Sequence, residues 1–372
     1  MLRLLIVLVL FLSSLLVLFR APTNFLWYVS IVITEFSWVF CCILACLLFW
    51  RFGSPKYFLA TNILVIFAFV IFTIPVISAY RISATLSKNL TAAFGDTTKL
   101  NQSPFSFTKL ITGINAKQLP YKTYTYDPSK SLTLDFYPAK TSGKRPCVIV
   151  VHGGSWAGGD SQQLPELNSE LAKGGYHVAS INYRLAPQHL FPAPIEDLQQ
   201  SLSFLRSHVE DLQIDTSNFV LLGRSAGGQI VLTAAYTLKD PAIKGVISFY
   251  GPADMVWGYK NPTNPLVLNS GKVMADYLGG SYDKVPTQYV NSSATETWRI
   301  HPVPSLLIHG RHDPLVSHIH VERLSSKLTR INHYELYLPW ATHGFDWTLN
   351  GPGGQLSTFA VMQFLQGVVQ HK

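Results

Sequence analysis

The first eighty residues constrain this chain more than anything after them. They carry four basic side chains, Arg3, Arg20, Arg51 and Lys56, and a single acid, Glu35, in an otherwise apolar background. Three apolar stretches can be drawn, over residues 2–19, 25–50 and 57–80. Crossing a bilayer takes about 20 apolar residues, which the second and third supply and the first approaches. Arg3 ahead of the first run would also suit a signal peptide, but no small-x-small cleavage site follows, so the run is read as a retained helix. Trp27, Tyr28, Trp50, Tyr57 and Tyr80 stand where interfacial aromatic residues collect. The expectation is a multi-pass anchor of about three helices in residues 1–80, with the lipid bilayer as its partner.

Orientation is nearly balanced. Arg3, Arg51 and Lys56 would lie on one side, and Arg20, Arg81, Lys88 and Lys99 on the other. A signal-anchor-like first helix favours an inside N-terminus, which places the rest of the chain on the non-cytoplasmic side. Glu35 could mark an ion path, since a carboxylate in lipid is costly. No second acidic, basic or histidine residue accompanies it in the second and third runs, so a protonated or hydrogen-bonded group between packed helices is the reading adopted. Residues 81–120 turn to Ser, Thr, Asn and Gly. Within them Ile82, Leu86, Leu90 and Phe94 recur at helical spacing, as a surface amphipathic helix or a linker helix packed on the body would require.

Residues 121–372 read as a globular domain. The formal charge of the whole chain is +8 without a basic run, which argues against nucleic acid. Only Cys147 of the four cysteines belongs to the body, so no disulfide forms within it. Short β-branched and aromatic runs cover 121–126, 132–137, 147–152, 177–183, 219–223, 245–250, 304–309 and 334–338. From Cys147 onward they are separated by helix-length segments, the pattern of crossover units on a parallel sheet, while the first two read as an edge hairpin. The fold class is therefore α/β, with an eight-stranded, mostly parallel sheet flanked by helices. Ligands of such sheets bind beyond the carboxyl ends of the strands.

The chemistry-bearing residues follow those ends. Gly223-Arg224-Ser225-Ala226-Gly227-Gly228 lies between a strand and a helix. A serine in so sharp a turn needs small residues two before and two after, and its hydroxyl then sits at a helix N-terminus. His152-Gly153-Gly154-Ser155-Trp156 follows an earlier strand and leaves backbone N–H groups free for an oxyanion, with Ala226 N–H as a further donor. Asp313 and His343 follow two later strands, giving the order Ser225, Asp313, His343. His312 is the rival base and Asp346 the alternative acid, whereas His309 is expected to end its strand and pack.

Together these residues resemble the α/β-hydrolase superfamily, in its esterase/lipase branch of hormone-sensitive-lipase-like and acetyl-esterase-like enzymes. Tyr183-Arg184-Leu185-Ala186-Pro187, Phe191-Pro192-Ala193-Pro194 and Asp197 are similar to that branch as well. The resemblance implies a serine hydrolase with Ser225 as nucleophile, Asp313 as acid, His343 as base and Gly153, Gly154 and Ala226 as oxyanion donors. It implies a small-molecule or lipid ester substrate and no metal or organic cofactor. Arg184 and Asp197 are expected to form a structural ion pair. Residues 252–302 are expected to wall the site, with Trp156, Trp257 and Tyr259 lining it. Arg224 stands where the branch often has an acid, and Ser155 where it often has glycine. An amidase or peptidase would use the same triad, and a non-catalytic scaffold would tend to lose part of it. The membrane head has a loose analogy in membrane-bound prenylcysteine methylesterases.

Overall fold

The computed structural model describes residues 2–49, 57–95, 102–113 and 118–369. Trp50, Arg51, Lys56 and Lys99, which entered the reading of the aromatic belt and of orientation, lie outside the described residues.

The eight strands are β1 (Lys122–Asp127), β2 (Leu132–Tyr137), β3 (Arg145–Val151), β4 (His177–Ile181), β5 (Ile214–Arg224), β6 (Ile243–Phe249), β7 (Ser305–Gly310) and β8 (His333–Leu338). They form one sheet in the order β1-β2-β4-β3-β5-β6-β7-β8. β1 pairs antiparallel with β2 and β2 with β4; all remaining pairs are parallel. Alternation along the central strands divides the core between two faces. Val148, Val150, Val220, Leu222, Ile247 and Phe249 face one layer of helices, and Ile149, Val151, Phe219, Leu221 and Val246 the other. Both faces are covered, which is why these strands read as continuous apolar runs.

The apolar head is built differently from three straight spans. Its helices are α1 (Leu2–Ser14), α2 (Asn24–Glu35), α3 (Ser37–Phe49) and α4 (Phe58–Phe94). A 3-10 turn, Leu15–Val17, extends α1. The run over 25–50 breaks at Phe36, where α2 and α3 meet at 77°. Among the described residues only α4 is long and apolar enough to cross a membrane by itself, with a mean hydropathy of 2.6 over its apolar window. α2 is instead tied to the body at both ends. The Trp27 indole N–H donates to the His343 carbonyl at 2.9 Å, and Gly353 N–H donates to Glu35 Oε2 at 2.9 Å. Those bonds take residues 25–35 out of the second run and leave α3, with 13 residues, too short for a bilayer at about 1.5 Å per residue.

α1 and α3 run alongside α4. Arg3 near the start of α1 donates to Leu47 O in α3 at 3.1 Å and to Asn62 Oδ1 in α4 at 2.5 Å, while Phe40 stacks on Phe72. Past Tyr80 the chain continues as the same helix. Its Leu86, Leu90 and Phe94 are buried against the body's C-terminal helix, where Phe94 meets Phe364 edge-on at 4.7 Å. The helix expected over 82–94 is thus the end of α4, packed on the body and sharing one apolar cluster with the sheet.

The body helices that matter for the site are α5 (Pro165–Lys173), α6 (Ala193–Ser207), α7 (Ala226–Thr237) and α8 (Pro352–Val368). Between β6 and β7 the chain makes four short helices, Met255–Lys260, Ser270–Leu278, Pro286–Asn291 and Ala294–Thr297, over the carboxyl ends of the strands.

Candidate active site

Ser225 occupies the turn from β5 into α7 with φ 52° and ψ −117°, a backbone conformation that a non-glycine residue adopts only when its surroundings enforce it. They do so here by close approach. A side chain on Gly223 would collide with the Gly227 carbonyl, and one on Gly227 with the Val151 and His152 carbonyls at the end of β3. Ser225 N–H donates to Phe249 O at 2.9 Å, which fixes the turn to β6.

His343, in the loop after β8, brings its Nε2 to 3.0 Å from Ser225 Oγ and its Nδ1 to 2.7 Å from Asp313 Oδ2. Asp313 Oδ1 accepts the N–H groups of Leu315 (2.8 Å) and Val316 (2.9 Å), so both carboxylate oxygens are oriented. Burial alone would push the Asp313 carboxyl up. The adjacent His343 and His309, with their hydrogen bonds, outweigh burial and hold it below the ordinary carboxylate range. Serine, imidazole and ionised carboxylate thus form one chain of hydrogen bonds.

The rival base and the alternative acid are engaged elsewhere, and His309 packs behind Asp313. His312 turns toward Val17 and Arg20 of the head. His309 ends β7 fully buried, with Nε2 2.8 Å from Val316 O and 3.3 Å from Asp313 Oδ2. Asp346 is engaged by Arg224, whose Nε donates to Oδ2 at 2.5 Å, and by Tyr250, whose hydroxyl donates to Oδ1 at 2.5 Å. Arg224 and Asp346 are each 1% exposed, and burial together with the Asp346 charge keeps the Tyr250 phenol protonated. Arg224 therefore ties the serine turn to the loop that carries His343, with the Tyr250 ring 4.3 Å from the imidazole. The sequence left Arg224 without a role. Its pairing spans 122 residues and has no local signal.

The expected oxyanion donors are not equivalent. Gly153 N–H is occupied, donating to Gln163 Oε1 at 2.7 Å. Gly154 adopts φ +115° in a turn whose carbonyl accepts from Ala157 and Gly158, and Ala226 begins α7. Ala226 N–H is one of the helix-terminal donors that lack an intrahelical partner. Arg184 and Asp197 form the expected pair, Nε to Oδ1 at 2.8 Å, with Arg184 N–H donating to Asp197 Oδ2 at 2.9 Å.

A cavity of about 580 Å³ opens beside Ser225. Trp156, Trp257, Val267, Val273 and Met274 line it, so residues 252–302 do contribute a wall. Tyr259 does not line this cavity; it packs on Tyr282 and Tyr289 instead. The wall also includes Arg20, Ala21 and Pro22 of the head, which sequence reasoning missed entirely.

A family profile described as BD-FAE matches residues 134–328, more than half of the chain. The probable carboxylic ester hydrolase LipM of Mycobacterium tuberculosis is 25% identical over 248 residues, which cover 61% of this chain and 55% of that protein. Esterase LipC of the same organism is 27% identical over 267 residues, covering 66% and 64%. The chain thus spans roughly half to two-thirds of the length of these curated relatives. Among solved structures, a bacterial heroin esterase is 21% identical with a TM-score of 0.58, covering 77% of this chain and 99% of that one. The sheet order, the helical layers and this likeness agree on the α/β-hydrolase fold, and on the profile match the chain belongs to the BD-FAE family.

Proposed function

We propose that the chain is a membrane-anchored serine hydrolase that cleaves carboxylic esters through an acyl-enzyme. The observation that carries this reading is the continuous Ser225–His343–Asp313 hydrogen-bond chain, set on a strained turn that lines the cavity. The esterase names of the relatives support the choice of bond. Ser225 Oγ attacks the acyl carbon while His343 Nε2 takes its proton, and Asp313 stabilises the imidazolium. Ala226 and Gly154 N–H groups receive the oxyanion, each donor worth about 2.7–4 kcal/mol. Gly153 N–H joins them once Gln163 turns aside. His343 then returns the proton to the leaving alcohol, and water releases the acyl group by the same route.

The anchor is the bundle of α1, α3 and α4, with α4 as its crossing helix and α2 lying along the body. The bundle presents Leu5, Leu12, Leu59, Phe67 and Val70 outward, each more than half exposed, far more contiguous apolar surface than a soluble domain leaves uncovered. Arg3 lies at the end of the bundle away from the body. A cytoplasmic N-terminus would therefore put residues 121–372 on the non-cytoplasmic side.

The test is hydrolysis of a graded p-nitrophenyl ester series by the full chain in detergent, beside Ser225→Ala. Turnover that vanishes in the variant supports the reading. Turnover that survives in it refutes the assignment of the nucleophile.

A further inference from the structure

The cavity beside Ser225 is not enclosed by the hydrolase body alone. Arg20, Ala21 and Pro22, between α1 and α2, form part of its wall. They are stitched to the opposite wall by three hydrogen bonds. Asn264 Nδ2 donates to Pro22 O (3.1 Å), Asn24 N–H to Leu266 O (2.9 Å) and Asn24 Nδ2 to Val267 O (3.2 Å).

The side chains flanking these stitches point into the surroundings and are apolar: Phe19 is 63%, Phe25 73% and Leu266 70% exposed. Phe19 directly precedes the wall residue Arg20, Leu266 directly precedes the wall residue Val267, and Phe25 follows Asn24, which holds the two walls together, so head and hydrolase both contribute to the rim. Holding three such apolar side chains in water around a pocket mouth is unfavourable, and contact with an apolar phase relieves it. The rim is also continuous with the outward face of α1, where Leu8 and Leu12 are exposed. Whatever covers that face of the bundle covers the rim. Inside the mouth Trp156, Trp257, Val267, Val273, Met274 and Ile319 supply an apolar side to a mixed lining, a surface on which a hydrocarbon chain leading to the serine can lie.

We infer that the mouth of the site sits at the lipid surface, and that the ester cleaved is the acyl ester of an amphiphile resident in the bilayer, entering from the membrane side. The inference rests on the serine-esterase reading above and adds the substrate class and its route. The acyl chain would leave lipid for the apolar side of the cavity without crossing water, while the alcohol part stays at the interface beside Arg20.

The test uses the full chain reconstituted in phosphatidylcholine vesicles and two esters: p-nitrophenyl acetate in the water phase and p-nitrophenyl palmitate dissolved in the bilayer. Wild type and Leu266→Glu are compared by the ratio of palmitate to acetate turnover. Leu266 is exposed and outside the cavity lining, so its replacement leaves the fold intact, and acetate turnover reports folding in the same preparation. The expected result is efficient palmitate cleavage by wild type and a ratio about 10-fold lower in Leu266→Glu, as loss of one side chain's contact with lipid would give. Ser225-dependent acetate cleavage with a ratio unchanged by Leu266→Glu overturns the inference and leaves the esterase reading standing. Loss of both activities in wild type, with no labelling of Ser225 by a fluorophosphonate, overturns the esterase reading and the inference with it.

Discussion

The indole N–H of Trp27 donates to the main-chain carbonyl of His343 at 2.9 Å, and the two rings meet edge-on with centroids 6.0 Å apart. A residue of the apolar head thus holds the loop that carries His343. Losing a hydrogen bond to a half-buried carbonyl costs about 1–3 kcal/mol, and here the cost falls on the placement of the imidazole. Trp27→Phe keeps the ring and removes the donor. Its kcat should fall about 10-fold with KM little changed, measured on a soluble ester. A change confined to KM would show that Trp27 acts on substrate binding instead.

The two carboxylates near His343 should separate cleanly. Asp313→Asn leaves the ring without its orienting acceptor and should lower kcat by roughly 10⁴-fold while the protein stays folded. Asp346→Asn strands the buried Arg224 guanidinium, which costs about 3–5 kcal/mol, so its main signature should be a lower thermal midpoint. Esterase rates per folded molecule, beside thermal unfolding of both variants, check this. A greater catalytic loss in Asp346→Asn would move the acid.

His320 lines the cavity, with Asp254 N–H donating to its Nδ1 at 3.2 Å. Burial, aided by the nearby His309, lowers its pKa to about 3; Asp254 opposes this, and Arg323 reinforces it. The sign follows from linkage. Below about 6.5 the unfolded chain binds a proton at this histidine that the folded chain refuses, so stability falls as pH drops. The contribution is about 1.4 kcal/mol per pH unit well below that value, continuing until the folded group titrates. His320→Gln should remove this slope from unfolding curves measured between pH 6 and 4. An identical slope in the variant would place the proton uptake elsewhere.

Gly227→Ala tests the serine turn by sterics alone. The added methyl meets two backbone carbonyls of the β3 end, which have no rotamer with which to escape. The substitution should cost about 3 kcal/mol or more and should move Ser225 relative to His343. Thermal unfolding and esterase activity should fall together, and a variant with unchanged midpoint and rate would contradict this account of the turn.

What the sequence disclosed follows from how far each feature reaches along the chain. The strands were legible because β3, β5, β6 and β7 are apolar on both faces, and the serine turn because Gly223 and Gly227 flank Ser225 within five residues, although only Gly223 answers a local collision and Gly227 makes room for the distant end of β3. Asp313 and His343 were legible through chain order, although their hydrogen bond spans 30 residues. The head was misread for a physical reason. A helix docked on a protein and a helix in lipid need the same side chains, so α2 looked like half of a span. The residues that fix it, Trp27 on His343 and Glu35 on Gly353, act across 316 and 318 residues. Glu35 is hydrogen-bonded between packed elements, as expected, but its partner belongs to the start of α8. Arg224 and Gln163 escaped for the same reason, since neither partner is implied by local pattern.

The central claim is that Ser225 is a nucleophile activated by His343. Labelling of the detergent-solubilised full chain with a fluorophosphonate, mapped by mass spectrometry, tests it most directly. The account predicts one modified residue, Ser225, with labelling lost in Ser225→Ala and strongly slowed in His343→Ala. Labelling at another serine, or equal labelling of Ser225 when His343 is replaced, would contradict it.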